Sequence, residues 1–178
     1  MKILSIEDAT RMLMVDNLDT YVNQLKSRLR RVGGTFTIPP DSGRKTALSR
    51  LFANLLLKKS SVCLYVDEWG VWPSCEHLDL FYGYRRSLGE TRPLIEAPFH
   101  VFERTEYDAL ISMMSMVLYF VWGAWIFDIE GKTLIRISHD EWLEIGVGDE
   151  ETHQEFTAEM ERYELPARPR GQQSPTAT

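Results

Sequence analysis

Nineteen consecutive residues without a charge, Ala109 to Phe127 (ALISMMSMVLYFVWGAWIF), limit what this chain can become more than any other stretch. By length alone they match a bilayer span, which needs about 20 predominantly apolar residues. Ser112 and Ser115 dilute the first half, however, and Gly123 interrupts the second. The flanks are mainly acidic on both sides (Glu103, Glu106 and Asp108; Asp128 and Glu130), so no positive-inside asymmetry is present. The second half is rich in Val, Tyr, Phe, Trp and Ile and reads as a strand turning at Glu130-Gly131 into KTLIRI. The expectation is a buried helix that feeds a β-hairpin, with no contact to a membrane.

Around this centre the chain alternates helical and extended signals. Ser5 caps a short helix to Leu13, with Glu7 and Asp8 in its first turn. Leu18, Val22, Leu25, Leu29 and Val32 form one apolar stripe of a second helix, stopped by Gly33-Gly34. TFTIPP is at best an edge strand. A third helix follows Asp41-Ser42 and runs to Leu57. SVCLYVDEW reads as a buried strand, and PSCEHLDLFYGYRRSLG as a helix capped by Ser74 and ended by Gly89. APFHVF is a short strand, Thr105-x-x-Asp108 a capping pattern, and 150–163 a last helix. These signals predict an α+β fold: a small, mainly antiparallel sheet with helices packed against it and a helical N-terminal part. Leu25, Leu51, Leu64, Phe120 and Ile137 are expected in one buried cluster. A single globular domain over residues 1–164 is expected, with a disordered Pro/Gln/Ser/Thr-rich tail over 165–178.

Charge is divided unevenly. Residues 1–60 carry a net +6, whereas 61–178 carry −12, and 139–164 hold ten acidic groups against one arginine. One consequence is a solvated acidic face neutralised by the basic helices of the same chain; the other is a surface that attracts a basic partner. The overall net charge of −6 argues against nucleic-acid binding, because phosphate contacts dominate that affinity. The acidic interruption at Glu7-Asp8 and the sparse cysteines, Cys63 and Cys75, point to a cytoplasmic location without disulfides or a zinc knuckle.

Several stretches imitate reactive sites. PPDSGRKTALSR resembles the end of a phosphate loop, but Pro39 stands where the first glycine should be, and Arg44 precedes Lys45. Cys75 beside His77 lacks any peptidase or phosphatase pattern around it. In TLIRISHDEWLEI, His139, Asp140 and Glu141 would point about 100° apart on a helix, so they cannot share a metal. Ser138-x-x-Glu141 reads instead as a capping box that opens a helix. No catalytic residue, metal or cofactor is therefore expected; His100, His139, Asp140 and Glu141 remain a candidate polar site.

The segment DEWGVWPSCEHLDLFYGYRRSLGETRPLIEAPFHVF, followed by LYFVWGAW and SHDEW, resembles a group of small uncharacterised bacterial proteins. They share Trp-Gly-x-Trp-Pro-Ser, a Tyr/Phe-rich helix ending in Arg, an Ala-Pro-x-His step and Ser-His-Asp-Glu. Where they tend to have Trp-Asp, this chain has Trp122-Gly123. The resemblance implies an α+β cytoplasmic protein, similar in character to bacterial immunity proteins that neutralise toxins. The function expected from it is non-enzymatic binding of a basic protein, in the most specific form an immunity-type inhibitor. The binding residues would be Trp69, Trp72, Arg85, Arg86, Glu150, Glu151 and Glu155. The alternatives are a hydrolase using His100 and His139 with nearby carboxylates, and a regulatory adaptor that touches DNA through its basic N-terminal helices.

Overall fold

In the computed structural model, which describes residues 1–70 and 78–165, the uncharged stretch divides between helix α5 (Tyr107–Tyr119) and strand β6 (Gly123–Asp128). Strand β6 runs on through a turn into β7 (Thr133–Ser138), as the sequence suggests. All six residues of β6 are buried because β6 lies inside the sheet with side chains packed on both of its faces. A strand covered on two sides reads as a continuous apolar run rather than an alternation. Among the described residues, no helix is long and apolar enough to cross a membrane.

The remaining elements, in chain order, are β1 (Lys2–Leu4), α1 (Ile6–Leu13), α2 (Leu18–Arg28), β2 (Arg30–Arg31), β3 (Phe36–Thr37), α3 (Ser42–Leu57) and β4 (Val62–Glu68). They continue with α4 (Leu78–Ser87), β5 (Phe99–Phe102), β8 (Trp142–Val147) and α6 (Glu150–Tyr163). The eight strands make one sheet in the order β1-β5-β4-β6-β7-β8-β2, with β3 also on β8, and every pairing is antiparallel. The fold is α+β. The N-terminal sixty residues are not purely helical: β1, β2 and β3 add three short strands to this sheet.

Alternate residues of the strands feed two cores. Leu64, Ile126, Ile135 and Ile137 point to a face packed by Phe52 of α3, Phe81 of α4, Met113 of α5 and Phe156 of α6. Cys63, Phe127 and Leu134 point the other way, under Ala9 of α1 and Leu18, Val22 and Leu25 of α2. The single cluster expected from sequence is thus two clusters separated by the sheet. Leu25 belongs to the second, and Leu51 is only half-buried beside the first. Two helices cover the second face, against four elements on the first. Asp67, Arg136 and Glu144, at the strand ends on the thinly covered side, keep only 18%, 11% and 14% of their side chains exposed.

Three local expectations are corrected. Residues 138–145 form a strand–turn–strand, not a helix start. Glu141 N–H donates to the Ser138 carbonyl at 3.1 Å, Asp140 N–H donates to Ser138 Oγ at 3.2 Å, and Glu141 has φ 60°. A serine hydroxyl that binds a nearby backbone N–H serves a turn as readily as a helix cap, so the pattern alone does not separate the two. Leu143, Ile145 and Val147 show the period of two that belongs to a strand. Second, Thr105 does not cap α5: Glu106 holds that position without a side-chain cap bond, and its carboxylate meets the amino terminus and Glu103 N–H. Third, α2 stops at Arg28 rather than near Val32, because Arg30 and Arg31 pair with Val147 and Gly146 of β8.

A candidate polar site at the end of the sheet

The apolar strand β4 ends in Asp67-Glu68, where the register with β6 shifts between Val66 and Glu68. That irregularity brings both carboxylates against Gly123 at the start of β6. A Cβ added to Gly123 would lie 2.5 Å from Glu68 Oε2, 2.9 Å from Glu68 Cβ and 3.0 Å from Asp67 Oδ1. A side chain there would have to displace Glu68, so the position suits glycine.

Arg136 is the only charge within β7, and it faces the two carboxylates from one strand beyond β6. Its Nη1 donates to Asp67 Oδ1 at 2.7 Å and Oδ2 at 2.6 Å, and Nη2 donates to Glu68 Oε2 at 2.9 Å. The guanidinium lies over Trp125, 4.5 Å from the ring centre, and the Trp125 indole N–H donates to Asp67 Oδ2 at 2.8 Å. Trp125 and Arg136 are cross-strand partners, so the stacking follows directly from register. Burial pushes the Asp67 carboxyl above the ordinary carboxylate range, with Arg136 and the Trp125 N–H opposing it. His139, in the β7–β8 turn, places Nδ1 2.8 Å from Glu68 Oε2, while its Nε2 is 3.5 Å from Asp140 Oδ1. The cluster therefore joins an aromatic plane, a guanidinium, an imidazole and three carboxylates on the thinly covered side of the sheet.

The residues expected from sequence fall in different places. His139 and Asp140 belong to this cluster, and exposed Glu141 closes the turn beside them. His100 does not: it is fully buried in β5, with Nδ1 3.3 Å from the Leu64 carbonyl and the ring edge-on to Phe81. The two histidines therefore do not meet in one site. Trp69 is half-buried just beyond β4 and packs on the first core; Trp72 lies outside the described residues, as do Cys75 and His77. Arg85 is 0% exposed and cannot act as a surface anchor; Arg86 beside it is exposed. Burial pushes the Cys63 thiol up to about 12, far from a reactive thiolate.

The acidic residues of α6 are largely answered within the chain. Glu150 pairs with Arg30, and Glu155 with Lys58 at 2.8 Å. Glu144 of β8 pairs with Lys26 at 2.9 Å and Arg31 at 3.3 Å. Glu151 is exposed. Much of the charge asymmetry of the sequence thus closes on itself, basic N-terminal segment against acidic C-terminal segment. The phosphate-loop imitation is an ordinary helix start, with the Asp41 carboxylate accepting from Arg44 N–H at 2.8 Å.

Asp67, Glu68, Trp125 and Arg136 were not singled out by sequence reasoning. The available signal was a lone arginine inside an apolar strand, which needs a buried or half-buried acid opposite it. Among the described residues, no group of three or more His, Cys, Asp or Glu is placed to hold a metal ion. Comparisons with protein-family models, with curated proteins and with solved structures find no match to this chain.

Proposed function

We propose that this chain is a binding protein that engages a basic partner through the half-open sheet face around Asp67, Glu68, Trp125, Arg136 and His139. In its most specific form it is an immunity-type inhibitor that covers the partner's site without chemistry of its own. The observation that carries this reading is the composition of the cluster on rigid strands. Trp125 and Arg136, 8% and 11% exposed, hold the cluster from beneath, while Glu68, His139 and Asp140 form its more accessible rim. Asp67, Glu68, Asp140 and Glu141 outnumber Arg136, so the local field favours a positively charged partner. The proposed interface is on the sheet rather than on α6, because Glu150 and Glu155 already pair with Arg30 and Lys58.

A hydrolase reading keeps one supporting observation, the 2.8 Å contact of His139 with Glu68, which is how a carboxylate orients a general base. It loses His100 to the core. The DNA-contacting adaptor loses support as well, since Arg30, Arg31, Lys26 and Lys58 all face carboxylates of the same chain.

The test is affinity purification with the full chain, then association kinetics of the recovered protein at two salt concentrations. A basic protein whose binding weakens with Glu68→Gln and His139→Ala, but not with Glu151→Gln, supports the reading. Equal binding by all three variants, or turnover of a small substrate that disappears with His139→Ala, overturns it.

A further inference from the structure

On the other side of the sheet, three buried polar side chains surround the ring of Phe81. The Arg85 guanidinium lies 5.5 Å from its centre, the Trp122 ring 5.1 Å and the His100 ring 6.1 Å. Each is at most 1% exposed. Arg85 Nη2 donates to the Ala97 carbonyl at 2.9 Å, but among the described residues its Nε and Nη1 have no hydrogen-bond partner, and neither do Trp122 Nε1 and His100 Nε2. No carboxylate forms an ion pair with Arg85 among the described residues. Glu90 is held by Arg92 instead, at 2.6 and 2.9 Å. Glu90 acts on Arg85 only at a distance, and a guanidinium with a single hydrogen bond and no direct ion pair is costly to bury; unpaired indole and imidazole nitrogens add to that cost.

The His100 tautomer follows from its neighbour. A carbonyl only accepts, so Nδ1 carries the proton toward Leu64, and Nε2 of the neutral ring presents a lone pair. Burial, followed by the charge of Arg85, pushes this imidazole down to about 3, so the ring is neutral at any physiological pH. Around one phenyl ring the protein thus presents cationic and neutral N–H donors together with one acceptor.

We propose that Arg85, Trp122 and His100 form a buried receptor for a small oxyanion that keeps an O–H at neutral pH, of the hydrogen-carbonate or hydrogen-phosphate kind. The negative charge answers Arg85, acceptor oxygens take the Arg85 and Trp122 N–H groups, and the O–H donates to His100 Nε2. A site that hydrogen-bonds an O–H discriminates strongly against an isostere lacking one, because the acceptor is then left unpaired and faces an oxygen lone pair. The receptor is independent of the partner-binding face, which lies across the sheet.

The experiment is calorimetric titration of the full chain at pH 7 and fixed ionic strength with bicarbonate, phosphate, sulfate and acetate. Saturable binding of bicarbonate or phosphate is expected, with sulfate and acetate at least about tenfold weaker. Which of the two O–H-bearing probes saturates at lower concentration identifies the source. Trp122→Phe keeps the ring packing and removes one N–H; it should weaken binding about tenfold or more. Arg85→Met should abolish it, and His100→Asn should remove the preference for O–H-bearing anions. No saturable binding of any of the four probes to the wild-type chain overturns the proposal. So does undiminished binding by Trp122→Phe, which decides the matter even if Arg85→Met does not fold.

Discussion

Gly123 faces Glu68 so closely that a methyl group on its Cα would stand 2.5 Å from the Glu68 carboxylate and 2.9 Å from Glu68 Cβ. Alanine ordinarily suits a strand better than glycine, by roughly 0.5–1 kcal/mol. Here the collision outweighs that gain, and Gly123→Ala should destabilise by about 1–3 kcal/mol in urea denaturation. Combining it with Glu68→Ala removes the oxygen but leaves the Cβ contact, so only part of the loss should return. A neutral or stabilising Gly123→Ala would contradict the register irregularity that sets up the polar cluster.

Arg136 and Asp67 should behave as a coupled pair. Removing the arginine leaves a largely buried carboxylate without its counter-charge, so Arg136→Met should cost on the order of 3 kcal/mol. Adding Asp67→Asn to it should recover a substantial part, because the orphaned charge is then gone. The double-mutant cycle is the measurement, and additive losses would show that the two groups do not interact.

Glu141→Gly separates a turn from a helix by the sign of its effect. At φ 60°, glutamate sits in the left-handed region, and glycine relieves about 1 kcal/mol of that cost. A stabilising substitution is expected. In the first turn of a helix, the same change would destabilise by up to about 1 kcal/mol.

His100 should shape the acid limb of stability. Its folded-state value of about 3 lies below the ordinary histidine value of 6.5, so the unfolded chain takes up a proton first as pH falls. The contribution of neutral His100 is full above pH 6.5 and is lost progressively between 6.5 and 3. His100→Asn keeps a donor for the Leu64 carbonyl and cannot titrate, so its stability should fall less steeply over this window. Parallel curves for the two proteins, measured by denaturant unfolding at successive pH values, would contradict the buried neutral ring.

Helix starts were readable from the sequence where a cap bond spans three positions. Ser5 accepts from Asp8 N–H, Asp41 from Arg44 N–H, and α6 begins at the expected Glu150. The helix-to-hairpin division of 109–127 was readable too, because length, the glycine at 123 and β-branched and aromatic residues all act within the stretch itself. Local chemistry is ambiguous at Ser138, where one hydroxyl–backbone bond suits both a cap and a turn, and the pairing of β7 with β8 makes it a turn. Beyond that lie matters no local signal carries. Strands β1 and β2 are three and two residues long and have no period to detect; they exist because β5 and β8 offer them backbone partners, whereas β3 falls in TFTIPP, legible as an edge strand. Arg136 and Asp67 stand 69 positions apart and meet only through the order β4-β6-β7. Arg85, a surface anchor by residue type, is buried by the packing of α4 on the sheet. Composition and local spacing therefore determined the class of fold and most helix starts, while sheet order decided which polar residues converge, since pairing across strands depends on neighbours distant in the chain.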